Sequence, residues 1–207
     1  MSKTTRWWWI RHAPVTGHDG RLYGRRDVAA DLSDTGALKS LAARLPEPAL
    51  WIASPLLRTV TTAQALAALH AKSGSLPLIH IEPDIIEQDF GGWQGKTYAE
   101  IAALQGGETH PLWFAPAEVT PEGGEGFVAT MTRVAGAVQR LIAAHAKSDI
   151  VAVAHAGTIR AAVAHALDLT AEAALRLAVD PLSLTRLDHI AGKDGDYWHV
   201  MGVNARV

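Results

Sequence analysis

Short apolar runs alternate with amphipathic segments along almost the whole chain, and few folds accept that pattern. The runs are "WWWI" (7–10), "LWIAS" (50–54), "LPLIHIEP" (76–83) and "DIVAVAH" (149–155). Each is short and apolar at successive positions, as a strand buried on both faces must be. The segments between them have helical period. Leu38, Leu41, Ala42 and Leu45 share one face, with Ser33 or Asp34 placed to cap that helix. A second helix is predicted over 57–71 and a short one in "KTYAEIAAL". Phe127, Met131, Val134, Val138, Leu141 and Ile142 form the clearest stripe, and "GTIRAAVAHAL" follows the last apolar run. Near the C-terminus, "SLTRLDHIA", "GKDGD" and "YWHVMGV" read as a β-hairpin at one sheet edge. Strands alternating with helices predict an α/β protein, a three-layer α/β/α sandwich around an open, mostly parallel sheet. Residues 1–207 read as a single domain, and the Gly/Pro-rich interval around 105–126 as a lid-like insertion, because so long a structureless connection is usually functional.

Composition narrows the function. The formal net charge of −2 leaves no excess of Lys and Arg for a nucleic-acid surface. No run approaches the roughly 20 apolar residues of a membrane span, and the N-terminus lacks the roughly 7–15 apolar residues of a secretory signal. The chain has no cysteine, which removes disulfides, thiolate ligands and thiol nucleophiles and fits a cytoplasmic setting. Ten histidines keep a metal hydrolase in view, yet there is no HExxH and no ligand pair at helical spacing near a strand end, so no metal site is expected. The G-x-S-x-G of a serine hydrolase and a glycine-rich phosphate loop ending in Lys-Ser or Lys-Thr are also missing.

In open α/β sheets, ligands bind beyond the carboxyl ends of the strands. Arg11 and His12 follow the first apolar run. The second leads into a helix whose first turn carries Arg58; Glu87 lies past the third; His155 ends the fourth, before Gly157 and Thr158. Two histidines, two arginines and a carboxylate on one edge suit phosphoryl transfer, where positioning and electrostatics carry the catalysis. A guanidinium meets two phosphoryl oxygens at once. A neutral imidazole can attack phosphorus, and a protonated second histidine would add positive charge opposite it. The backbone N–H groups that open the helix after Gly157 also favour an anion, and Ala156 is counted among the phosphate-binding positions. Glu87 can protonate the leaving alkoxide, because a neighbouring phosphate dianion raises its pKa. The remaining histidines read mainly as structural or exposed, and the tryptophans of "WWWI" as core.

Four ordered blocks resemble the histidine phosphatase superfamily, also called phosphoglycerate mutase-like. "RHAP" stands where that family has RHG. "ASPLLRTVTTAQAL" is similar to its SPLxRxxxTA block, "EQDFGGWQGKTYAEI" to its E-x-DFGxWEG block, and "VAHAGTIRAAV" to its second-histidine block. "YGRRDVAADLSDTGALKSLAARL" resembles the turn and helix between the first two, and the resemblance extends from Arg11 to about Arg160. It implies a nucleophilic His12, a phosphate pocket of Arg11, Arg58 and His155, a proton donor in Glu87, and no metal or organic cofactor. Ala13 replaces the family's glycine. The slots of a phosphate-lining threonine and asparagine read Val15 and His18, so His18 or Thr16 is the substitute to test. "GGEG" around Glu125 resembles a GGES-like segment that has lost its serine.

The modest interval after "DFGGWQG" resembles the phosphatase branch rather than the mutases, which carry a longer insertion. A phosphomonoester hydrolase of a small phosphorylated metabolite, working through a phosphohistidine, is therefore expected. Cofactor-dependent mutase-type transfer, and an inactive member that binds phosphorylated ligands, remain alternatives. "RHAPV" followed by "YGRRD" is similar to α-ribazole phosphate phosphatases of cobalamin synthesis, a further option. Arg21, Arg25 and Arg26 are placed to reach a second anionic group, and a homodimer is compatible with the chain.

Overall fold

The computed structural model describes residues 4–17, 19–71, 75–107 and 110–206. Its centre is a six-stranded sheet in the order β3-β2-β4-β1-β5-β6. The strands are β1 (Thr4–Arg11), β2 (Leu50–Ala53), β3 (Ile79–Ile81), β4 (Asp149–Ala154), β5 (Leu184–Ile190) and β6 (Tyr197–Ala205). The four strands β3, β2, β4 and β1 run parallel, while β5 lies antiparallel to β1 and β6 antiparallel to β5. The mostly parallel sheet and the C-terminal edge hairpin thus agree with the sequence pattern. The first strand is longer than the apolar run, beginning at Thr4 and including Arg11 as its last residue. The third is shorter, because Leu76 and Leu78 project exposed before pairing begins at Ile79.

Two helical layers cover the sheet, and the pleat divides the side chains between them. Trp7 and Trp9 point to one face, stacked with ring centroids 5.0 Å apart. They join Ile150, Ala152 and Ala154 against α4 (Phe127–Ala144) and α5 (Ala156–Leu167). Ile10 points to the other face with Trp51, Val151 and Val153, against α1 (Thr35–Ala42) and α2 (Leu57–His70). Runs that bury both faces need no polar alternation, which is why "WWWI" and "DIVAVA" read as unbroken apolar stretches.

Local signals set the helix starts. Asp34 caps α1 by accepting from Ala37 N–H, and Thr97 with Glu100 forms a capping box that opens α3 (Tyr98–Leu104). A short α6 (Ala171–Ala174), which the sequence pattern does not announce, is capped by Thr170. Leu66, on α2, is fully buried in the second layer. Leu66→Ala is expected to cost about 2–5 kcal/mol of unfolding free energy in urea titrations; a change below about 1 kcal/mol would mean that this layer is looser than its burial implies.

Candidate active site

The strand order brings the sequence-selected residues together. Because β1 and β4 are parallel neighbours with Arg11 paired to Ala154, the next residues, His12 and His155, lie side by side. Their rings are 5.3 Å apart and inclined at 62°. β2 flanks β4 on the other side, so Ser54 and then α2, with Arg58 in its first turn, reach the same edge. Glu87 arrives on the loop after β3, beyond a single 3₁₀ turn at Pro83–Ile85.

His12 is almost wholly buried, and its Nδ1 lies 2.7 Å from the Ala13 carbonyl. A carbonyl only accepts, so Nδ1 carries the hydrogen and Nε2 keeps the lone pair. Burial, then the charges of Arg58 and Arg11, holds the imidazole pKa well below its ordinary value of 6.5. His12 is therefore neutral at physiological pH, the form that attacks phosphorus. Nε2 of His155 lies 2.7 Å from Ser54 Oγ, which also accepts from Leu56 N–H. The serine hydroxyl is satisfied by donating to Nε2, and this leaves an N–H at Nδ1, a buried atom with no protein partner. Burial, Arg58 and His12 push the His155 pKa well below 6.5 too. The second histidine is thus a neutral hydrogen-bond donor here, not the imidazolium that the sequence argument allowed.

Arg58 is fully buried and fixed by the carbonyls of Gly24 (2.6 Å) and Arg26 (2.9 Å), with its guanidinium 4.8 Å from the Tyr23 ring centroid. Arg11 is tethered by the Val179 carbonyl at 2.6 Å. Burial raises the carboxyl pKa of Glu87, against the opposing pull of Arg58. Its Oε1 accepts from Gln88 N–H, which leaves Oε2 to carry a proton. Gly157 makes this packing possible, since a β-carbon there would stand 2.6 Å from Glu87 Oε1. The start of α5 carries no side-chain cap, so its first-turn N–H groups remain available to an anion.

Beside this cluster opens a cleft of about 350 Å³. Arg11, Glu87 and Ala156 line it where the strands end, and Tyr98, Trp113 and Phe114 supply an aromatic wall. His12, Arg58 and His155 lie behind that surface; Tyr23, which lines the cleft, touches both Arg58 and His12.

Other sequence-selected residues fall elsewhere. The Arg25 side chain is spent on Glu125 (2.7 Å), Asp89 and the Glu87 carbonyl, so it props the Glu87 loop and does not face the cleft. Glu125 in turn binds Arg133 of α4; although burial opposes its ionisation, these arginines hold its carboxyl below the usual range. Arg26 donates to the Gln94 carbonyl, and of the three turn arginines Arg21 alone lines the cleft. Thr16 is exposed and outside the cleft lining, and His18 lies outside the described residues. Sequence reasoning passed over Ser54 and Arg160. Arg160 could have been found from helical phase, being one turn beyond Ala156 on the same face of α5. Among the described residues, no group of three or more His, Asp or Glu is arranged to hold a metal ion, and no helix is long and apolar enough to cross a membrane.

Known proteins share this architecture. A mycobacterial glucosyl-3-phosphoglycerate phosphatase superposes with a TM-score of 0.83 at 25% identity, over 98% of this chain and 99% of that one. The α-ribazole phosphatase of Shigella flexneri gives 0.72 at 25% identity, over 98% and 97%. A bifunctional protein of Mycobacterium tuberculosis is 31% identical over 180 residues, 85% of this chain but 48% of its own length, so the chain spans about half of that relative. The family model for the histidine phosphatase superfamily (branch 1) matches residues 7–204. With a match that runs from Trp7 in β1 to Asn204 in β6, the sequence blocks and the fold meet in one conclusion: the chain belongs to branch 1 of the histidine phosphatase superfamily.

Proposed function

We propose that this protein hydrolyses phosphate monoesters of small metabolites through a phosphohistidine at His12. The observation that carries this reading is the neutral His12 imidazole, its Nδ1 engaged by a carbonyl and its Nε2 lone pair free, among two guanidiniums and a protonatable carboxyl. The phosphoryl group enters past Tyr23, and Arg11, Arg58, the His155 N–H and the first turn of α5 take its oxygens. His12 Nε2 bonds to phosphorus as the bond to the ester oxygen breaks, and Glu87 gives that oxygen its proton. Water then attacks the phosphohistidine while the Glu87 carboxylate accepts a proton, which releases phosphate and restores the enzyme. The 110–126 segment, through Trp113 and Phe114, covers the leaving group in the manner of a lid. The kinship with phosphatases of glucosyl-3-phosphoglycerate and α-ribazole phosphate supports a small, polar leaving group.

Glu87→Gln tests the acid. Loss of a general acid costs about 10²–10⁴-fold, and the loss in kcat/KM, which reports the phosphorylation step alone, is expected to be severe for alkyl phosphates, whose alkoxide needs a proton, and slight for p-nitrophenyl phosphate, whose phenolate leaves unaided. The pH profile has a sign as well. Activity falls as pH drops through the depressed pKa of His12 and as it rises through the elevated pKa of Glu87. The variant should lose the basic limb alone. Equal losses on both ester types would remove Glu87 from the role of proton donor.

A further inference from the structure

The "GGEG" segment has no part in the mechanism above, yet its carboxylate is the point from which the loop bearing Glu87 is held. Glu125 Oε1 accepts from Arg25 Nη2 at 2.7 Å, from Arg133 Nη2, and from Asp89 N–H at 3.1 Å. Both arginines turn their other donors to the main chain that carries the acid. Arg133 Nη1 donates to the carbonyls of Asp84 (2.7 Å) and Ile86 (3.1 Å), and Arg25 Nε donates to the carbonyl of Glu87 itself (3.0 Å). Gln88, whose N–H binds Glu87 Oε1, is held in turn by the Glu125 carbonyl at 2.9 Å. The two backbones also meet directly. Glu125 N–H donates to the Asp89 carbonyl at 2.8 Å, and a β-carbon on Gly124 would stand 2.4 Å from that oxygen, which leaves no room for a side chain there. Glu125 does not line the cleft, so it reaches the chemistry only through these donors.

We propose that Glu125 is a positioning residue for the proton donor: by pairing Arg25 and Arg133 it keeps both guanidiniums on the carbonyls of residues 84–87, and so keeps the Glu87 carboxyl at the leaving oxygen. This rests on Glu87 being the general acid of the proposed hydrolase. A loop has no ladder to fix its carbonyls, and an acid must stand within about 2.6–3.2 Å of the oxygen it protonates. Two neighbouring guanidiniums repel each other, and a carboxylate between them removes that repulsion while accepting charge-assisted bonds from both. A neutral amide at this position leaves the cations with one other carboxylate, Asp89, at 3.4 Å from Arg25, and adds an N–H₂ group that no guanidinium can accept. The loop then takes up poses in which Glu87 is out of reach. His12 and His155 are tied elsewhere, to the Ala13 carbonyl and to Ser54, and keep their places.

The test measures kcat/KM for propyl phosphate and for p-nitrophenyl phosphate in the wild type, Glu125→Gln, Glu87→Gln and the double variant, all as the full chain. A displaced acid hurts only the ester whose alkoxide needs a proton. Glu125→Gln is therefore expected to lower kcat/KM for propyl phosphate at least about tenfold more than for p-nitrophenyl phosphate, a part of the about 10²–10⁴-fold that a general acid supplies. In the Glu87→Gln background the same change should alter that selectivity by less than about twofold, because a residue that works through the acid has nothing left to work on. A merely structural role would lower both esters alike. Equal losses on the two esters in Glu125→Gln, or no loss on either, overturn the proposal, as does a selective loss that persists in full in the double variant. Equal losses in Glu87→Gln alone refute the acid and this inference with it, whereas a selective loss in Glu87→Gln beside a uniform one in Glu125→Gln strikes Glu125 only. Should Glu125→Gln fail to fold, Arg25→Lys takes its place. Lysine keeps a charge beside Glu125 but lacks the planar fork that also holds the Glu87 carbonyl, so the same selective loss is expected, and an unchanged ratio of the two esters counts against the proposal.

Discussion

His12→Ala is expected to reduce kcat/KM for p-nitrophenyl phosphate by at least about 10⁵-fold, because loss of the proposed attacking group leaves only binding and electrostatic positioning. The same substitution should abolish acid-labile labelling when the wild type is quenched during turnover. The expectation follows from how completely the structure prepares this one nitrogen. The Ala13 carbonyl fixes the tautomer, and the Thr62 hydroxyl holds Ala13 N–H at 3.1 Å, so the turn that carries the imidazole is anchored to α2. Burial beside Arg58 and Arg11 keeps the ring unprotonated. Full activity in His12→Ala, or label that persists on another histidine, would place the nucleophile elsewhere and end the case for this chemistry.

Arg58→Met should lower kcat/KM by about 10³-fold, the loss that follows removal of a preorganised charged donor from a water-excluded site. The guanidinium acts on the whole cluster. It depresses the pKa of His12 and of His155, and it opposes the burial-driven rise at Glu87. Removing it therefore lets His12 titrate at higher pH and Glu87 at higher pH too. Both limbs of the pH profile should move in the alkaline direction as activity falls. Methionine keeps much of the side-chain volume, so melting temperature and circular dichroism separate this effect from misfolding. A large loss with an unmoved profile would show that Arg58 only holds the Gly24 and Arg26 carbonyls together.

Much of this site is legible in one dimension because parallel sheets place chemistry at strand ends. Arg11, His12 and His155 each stand at the point where an apolar run stops, and a buried strand tip is where a polar side chain has to meet something. Arg58 and Glu87 follow from the same rule one connection further on. The rule fails where a residue's partner is remote. Arg25 looked like an anion ligand from its neighbours in sequence, but its charge is met by Glu125, a hundred positions away. Arg160 was given no role from the sequence, because its partners Trp113 and Leu177 come to it only on folding.

By itself, the order of apolar runs determined a layered α/β fold with a terminal hairpin, since strands buried on two faces must be continuous in hydrophobicity and helices between them must carry a stripe. It also determined which side chains crowd the carboxyl edge. Tertiary structure decided their state. Side-by-side pairing of β1 with β4, the burial of two imidazoles among guanidiniums, and the withdrawal of Glu87 from water fix which nitrogen is bare and which carboxyl is pushed toward its acid form. Those are properties of distance and desolvation, and no stretch of sequence contains either.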